Sequence, residues 1–216
     1  MHDLEQAITE RRSTRKFLPR PVPRALLDEC LSLAQRAPSN SNIQPWRVVF
    51  AAGAARDRLQ TALLTEARKG PPNIPPLPEA FQRHRRELGS RVYGAMGITR
   101  EDKAARAAAV LRNFEFFGAP LVGIVGMHRD LGPADAVGVG MFLQTLVLTL
   151  TARGVGTCVA VSLAGYPEVL RRELGIPEEL AILCGVAVGY ADPDFPGNGL
   201  HIGREPIEKN VAFVDE

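Results

Sequence analysis

Three stretches of this chain gather side chains able to hold an anion or the polar edge of a heterocycle. The first is Arg11-Arg12-Ser13-Thr14-Arg15-Lys16. If it is extended, Arg11, Ser13 and Arg15 face one way, with Arg12 beside them. Two guanidinium forks and a hydroxyl then surround one point, and the fork matches the oxygens of a phosphate. A solvated basic turn has the same composition. The second stretch is Pro38-Ser39-Asn40-Ser41-Asn42-Ile43-Gln44-Pro45-Trp46. Its amides offer donors and acceptors together, as the edge of a ring with imide character requires. An ordinary polar loop leading into a strand reads alike. The third is Arg204, a candidate phosphate ligand delivered from far along the chain, although most surface arginines bind nothing.

Other chemistries lack their residues. The histidines, His2, His84, His128 and His201, show no HExxH or HxH spacing, and Cys30, Cys158 and Cys184 form no CxxC. Spacing therefore offers no metal site. An odd, sparse cysteine count argues against a disulfide framework and for a reducing, cytoplasmic setting. Cys158 has no histidine near it in sequence and reads as a buried structural thiol. The glycines of Gly154-Val155-Gly156 follow a helix instead of opening one, so neither a dinucleotide fingerprint nor a P-loop is present. With 26 Lys+Arg against 24 Asp+Glu, the net charge of +2 excludes a strongly basic nucleic-acid module. The N-terminus is too polar for a signal peptide. The apolar run Val137–Leu150 is too short to span a bilayer. No nucleic-acid or membrane partner is expected.

The elements that would position these residues follow from periodicity. Residues 3–11 form a short helix capped by Asp3. Three prolines keep 19–23 irregular, and a helix runs from Pro23 to about Ala37. Residues 46–52 have a strand composition and 54–68 a helical one. Five prolines make 70–78 irregular. Helices are expected at 79–93 and 102–113, and a buried strand at 120–127. A helix of about 134–153 follows, apolar around most of its circumference. Gln144 lies within it as a buried amide or an interhelical contact. An extended segment at 157–161, a helix at 166–174, a strand at 181–189 and a short edge strand at Val211–Val214 complete the reading. This is an α+β domain over 1–216, with helices around a small mixed sheet. Residues 70–98 form an excursion or lid and 200–216 a C-terminal arm.

Taken in order, these motifs resemble the flavin-dependent nitroreductase family, in particular bacterial nitrobenzoate-reductase-like members. RRSTRKF is similar to that family's phosphate turn and PSNSNIQPW to its ring-binding loop. RNFEFFGAPLVGIVG followed by GMFLQTLVLTLTARGVGTC resembles its sheet and central helix. CGVAVGYADPDFPGN and the later Arg204-Glu205-Pro206 resemble its C-terminal part. The resemblance implies a homodimer with one FMN in each of two interfacial clefts. Arg11, Arg12, Ser13, Arg15 and Arg204 would then hold the phosphate and ribityl end. Pro38, Ser39, Asn40 and Asn42 would line the ring, with Gln144 at the cleft floor. A backbone amide among Val159, Ala160, Val161 and Ser162 would approach flavin N5. Similar sequences carry Pro-Gln where Val159-Ala160 stand here, which removes a side-chain amide and keeps the backbone donor.

The implied activity is hydride transfer from NADH or NADPH to FMN and on to a nitroaromatic, quinone or related acceptor by a ping-pong mechanism. Flavin carries the chemistry, so no side chain is assigned as catalytic. Reductive dehalogenation, flavin processing and a non-enzymatic flavin sensor or store fit the same resemblance. A helical interaction protein without a cofactor is the reading that dispenses with it.

Overall fold

A computed structural model describes residues 3–215; His2 and the last residue of the C-terminal arm lie outside them. Helix α1 (Leu4–Glu10) starts where the Asp3 carboxylate accepts the Gln6 amide at 2.8 Å. Helix α2 (Arg24–Ala34) follows Pro23 and ends three residues before the position read from sequence. Strand β1 (Arg47–Ala52) leads into α3 (Gly53–Lys69), which two cations close at its C-terminal end. The proline segment is irregular. Helix α4 (Gln82–Ala95) follows it within residues 70–98, and α5 (Lys103–Leu111) comes after. Then come β2 (Leu121–His128), α6 (Pro133–Thr151), β3 (Gly156–Ala160), α7 (Pro167–Leu174) and β4 (Leu180–Gly189).

The sheet order is β1-β2-β4-β3. Among the described residues every strand pair is antiparallel, where a mixed sheet was expected, and the one parallel feature is an isolated bridge from Ser13 to Thr157. Helices cover both faces. Strand side chains alternate in direction, so β2 sends Val122 and Ile124 to one layer and Leu121 and Val125 to the other. The first layer holds Leu59 and Leu63 of α3 and Val169 and Leu170 of α7. The second holds Leu27 and Cys30 of α2 and Phe142, Leu146 and Leu150 of α6. This two-sided cover explains why β2 reads as an unbroken apolar run. Trp46 stacks on Phe142 at 5.0 Å between ring centroids, and its indole N–H donates to Gln35 Oε1 at 2.9 Å.

Two expectations change. Residues 211–214 form no strand: Phe213 is 81% and Val214 86% exposed. Helix α6 is not enclosed on all sides. Val137, Gly140 and Gln144 form an exposed stripe along it, with half-buried Met141 and Leu148 beside them. It is 19 residues long and its most apolar 18-residue window averages a hydropathy of 1.5, enough to cross a membrane by length and composition alone. It is instead packed on the sheet as a core helix, through Phe142, Leu146 and Leu150.

Candidate functional site

The basic turn is extended because it is stitched onto the sheet. The Thr14 amide donates to the Thr157 carbonyl at 2.8 Å, beside the outer edge of β3. The Phe17 amide donates to Phe117 O and the Leu18 amide to Tyr190 O, at 3.1 and 2.8 Å. Thr14 is buried. A β-carbon on Gly156 would lie 2.5 Å from the Thr14 hydroxyl, so this close approach requires glycine.

The C-terminal segment clamps the turn from the other side. Asn198, 8% exposed, accepts the Arg15 amide at Oδ1 (2.7 Å) and donates to the carbonyls of Lys16 (2.8 Å) and Asp192 (2.9 Å). Lys16 Nζ lies 2.9 Å from Asp192 Oδ2. That hydrogen bond, with the Asp194 amide as a second donor, holds the Asp192 carboxyl below the usual carboxylate range. Motif reading missed Asn198 and Asp192 as builders of the site. Their signal was the glycine- and proline-punctuated run around them, which marks a tight turn rather than a free tail.

These restraints bring six sequence-assigned residues into the wall of one cavity of about 510 Å³: Arg11, Arg12, Ser13, Arg15, Gln144 and Arg204. Four guanidinium groups there face a single carboxylate, Glu10, which accepts from Gln6 Nε2 at 2.9 Å. Burial pushes the Arg11 guanidinium below its usual value, and the charge of Arg204 acts in the same direction. Cations set against one another in this way are matched to an anion between them. Arg204 donates to its own neighbours, Ile202 O at 2.7 Å and Gly203 O at 3.2 Å, and Arg15 donates to Ser13 O at 3.2 Å. Each guanidinium has five N–H donors, so others remain for a ligand. His201 also lines the cavity, with Nε2 at 3.5 Å from an Arg12 nitrogen. Gln144 is an exposed side chain on the cavity wall and not the buried amide that was one sequence reading. The donor set fits the phosphate end of a nucleotide-like cofactor such as FMN.

The amide loop lies elsewhere on the same helix. Pro38, Ser39, Asn40 and Asn42 line none of this cavity. Asn40 Nδ2 reaches Asp135 Oδ1 at 3.4 Å, and a β-carbon on Gly138 would meet Ser39 Cβ at 3.2 Å. Gly138 and Gln144 are six residues apart, which places them about 120° apart around a helix turning about 100° per residue. Asn42 has a positive φ of 55° and is exposed. The segment Val159–Ser162 is also outside the cavity. Val159 is 42% and Val161 57% exposed where the chain leaves β3, and Ala160 is buried. The Ser162 hydroxyl is buried without a hydrogen-bond partner. Cys158 is buried, and burial pushes its thiol up to about 11, so the structural reading of this residue holds.

The excursion is anchored next to that exit. The Asn73 amide donates to Gly165 O at 3.0 Å, and the Tyr166 hydroxyl donates to Gly70 O at 2.7 Å. Gly165 is needed there, because a β-carbon would lie 2.4 Å from Pro72 Cβ. Helix α4 in turn holds the segment that carries Arg204. Arg83 pairs with Glu205 at 2.5 Å, and Arg91 donates to His201 O at 3.2 Å.

A family model described as the nitroreductase family matches residues 8–190. The chain is 37% identical to a 4-nitrobenzoate reductase of Pseudomonas putida, covering 98% of this chain and 96% of that one. It is 35% identical to a nitrobenzene nitroreductase of Ectopseudomonas oleovorans, over 99% and 97%. Its structure is similar to that of the FMN-dependent nitroreductase NfnB of Mycobacterium smegmatis in complex with NADPH. That match has a TM-score of 0.90 and 34% identity, covering 98% of this chain and 97% of the other.

Proposed function

The chain belongs to the nitroreductase family, and on that premise we propose how its own residues serve an FMN-dependent, NAD(P)H-consuming reduction of nitroaromatic compounds. The observation that carries the reading is the cationic cavity formed by Arg11, Arg12, Ser13, Arg15 and Arg204, which come from opposite ends of the chain. FMN held there would supply two-electron redox chemistry between a reduced nicotinamide and the acceptor. Arg11 and Arg204 neutralise the phosphate, with Arg12 beside them. Ser13 and Arg15 orient the ribityl end. The sheet edge and Asn198 hold these groups in place before the cofactor arrives, so little ordering is left to be done on binding. The backbone of Val159–Ser162 is the donor we assign to N5, and the exposed Val159 and Val161 would exclude water beside it. A backbone donor also makes the Pro-Gln pair of similar sequences dispensable. Denaturing the purified protein and identifying the released chromophore tests this reading. FMN supports it; FAD, or no flavin after reconstitution, overturns it.

We assign the ring-binding role of Pro38, Ser39, Asn40 and Asn42 to the loop of a second copy of the chain. The phosphate cavity and the amide loop occupy different faces of α6, and a cleft between two copies would use both. The exposed apolar surface supports this: Val137 and Gly140 of α6 lie exposed, and α1, which packs against α6, exposes Leu4 and Ile8. Apolar groups gathered like this mark an interface. A complementation experiment is specific to this model. Chains carrying Arg11→Ala, mixed with chains carrying Asn40→Ala, would form heterodimers in which one cleft is intact. Recovery of flavin binding supports a shared cleft; no recovery on proven mixing rejects it.

The excursion, residues 70–98, is assigned to acceptor discrimination because it is fastened beside Tyr166 and Gly165, where β3 leads out. Cys30, Cys158 and Cys184 are free and buried, which suits the cytoplasm.

A further inference from the structure

A second cavity, of about 660 Å³, lies between α4, α5 and the basic turn. Its wall carries five guanidinium groups, those of Arg15, Arg85, Arg86, Arg106 and Arg112, and no carboxylate. None of the five forms an ion pair with a carboxylate among the described residues. Three have structural employment. Arg15 donates to Ser13 O. Arg112 donates to Arg15 O at 2.7 Å and lies 4.7 Å from the Phe195 ring centroid. Arg106 lies 4.2 Å from the centroid of Tyr93, so guanidinium and phenol make a flat wall. Arg85 and Arg86 are exposed and have no such contact. Like charges gathered at one mouth repel unless an anion sits among them. The volume is that of a small-molecule site. Arg15 and Leu88 belong to the walls of both this cavity and the one assigned to the FMN phosphate, so the two are neighbours.

We propose that this second cavity binds the 2′-phosphoadenosine end of NADPH, with the base against the Arg106–Tyr93 wall and the 2′-phosphate on Arg85 and Arg86. The proposal rests on the flavin reading above and deepens it by naming the preferred donor. NADH carries a hydroxyl where NADPH carries the phosphate, so a surplus of guanidinium groups with no carboxylate favours NADPH. Base stacking on a guanidinium–aromatic wall is indifferent to that difference and serves both.

Calorimetric titration of the FMN-loaded protein with adenosine 2′,5′-bisphosphate, and separately with 5′-AMP, tests it. These probes differ only in the 2′-phosphate. The bisphosphate is expected to bind at least about tenfold more tightly, and Arg85→Gln or Arg86→Gln to remove about tenfold of its affinity. The ratio of kcat/KM for NADPH over NADH should fall in parallel. Equal affinity for the two probes, or an unchanged ratio in both variants, overturns the proposal. So does a loss confined to kcat/KM for 4-nitrobenzoate against nitrobenzene, which would reassign the arginines to a carboxylated acceptor. Failure of the flavin reading is visible separately, since a protein that holds no FMN can still be titrated with the bisphosphate.

Discussion

Asn198 Oδ1 accepts the backbone N–H of Arg15 at 2.7 Å, across 183 positions of sequence. The same amide donates to Lys16 O and Asp192 O, so one buried side chain ties the phosphate turn to the segment around Asp192. Asn198→Ala is expected to cost about 1–3 kcal/mol, because it leaves the Arg15 N–H without its partner and takes one of two donors from each of the Lys16 and Asp192 carbonyls. Urea denaturation of the flavin-free protein measures it. FMN affinity should fall as well, since Arg15 loses its fixed position. A variant as stable as the parent would mean the turn is not held there.

Arg11→Ala and Arg204→Ala should each weaken FMN binding by about 10- to 150-fold, the value of one charge-assisted contact. The two differ in their effect on the fold. Arg204 is exposed and donates only to its neighbours' carbonyls, so its loss should leave the melting temperature of the flavin-free protein unchanged. Half-buried Arg11 is relieved of repulsion when it is removed, so no loss of stability is expected there either. Fluorescence titration with FMN beside thermal melts separates binding from folding.

Asp192 makes part of the clamp depend on pH. Its folded-state value lies below the ordinary one, through the Lys16 hydrogen bond and then the Asp194 amide. A depressed carboxyl contributes stability that is complete above its unfolded value, about 3.9, and is lost as pH falls through the folded value. Asp192→Asn should therefore be less stable than the parent at neutral pH, with the gap closing as the solution is acidified below about pH 4. Melting temperatures taken from pH 7 to pH 3 test the sign. A gap that widens in acid contradicts it.

The thiols make the opposite prediction. Burial pushes Cys158 and Cys184 up to about 11. At pH 8 only about one folded molecule in a thousand carries either thiolate, and the thiolate is the nucleophile. Alkylation by iodoacetamide should be negligible in the folded protein and rapid in urea. Rapid loss of either thiol in the folded state would refute the assignment of both as core residues.

Much of the candidate site was legible before the structure because its chemistry is local. The arginine-rich turn and Arg204 announce themselves by residue type, and the helix and strand boundaries fall within a few residues of the periodicity. What could not be read is what depends on the far end of the chain. Nothing in Asn198 itself says that it will meet Arg15. The exposed stripe of α6 was hidden for a different reason: Val137, Gly140 and Met141 are no more polar than the core side of the same helix, so periodicity had no contrast to detect. The 211–214 segment shows the converse error. Its β-branched and aromatic residues suit a strand, but a strand needs an edge to pair with, and composition does not supply one. The arginines of α4 were visible in sequence, yet only the packing of α5 separates Arg85 and Arg86, which face a cavity, from Arg83 and Arg91, which hold the C-terminal segment.

The central claim is that this chain moves electrons from a reduced nicotinamide to a nitroaromatic through FMN held in the arginine cleft. Anaerobic stopped-flow absorbance of the FMN-loaded protein tests it most directly. Mixing with excess NADPH should bleach the flavin's visible band in a single turnover, and a second mixing with 4-nitrobenzoate should restore it, with both phases fast enough to account for steady-state turnover. The Arg11→Ala protein should show the same phases only at FMN concentrations high enough to refill the cleft. A flavin that stays oxidised under NADPH, or one that is reduced but is not reoxidised by any nitroaromatic, would contradict the account.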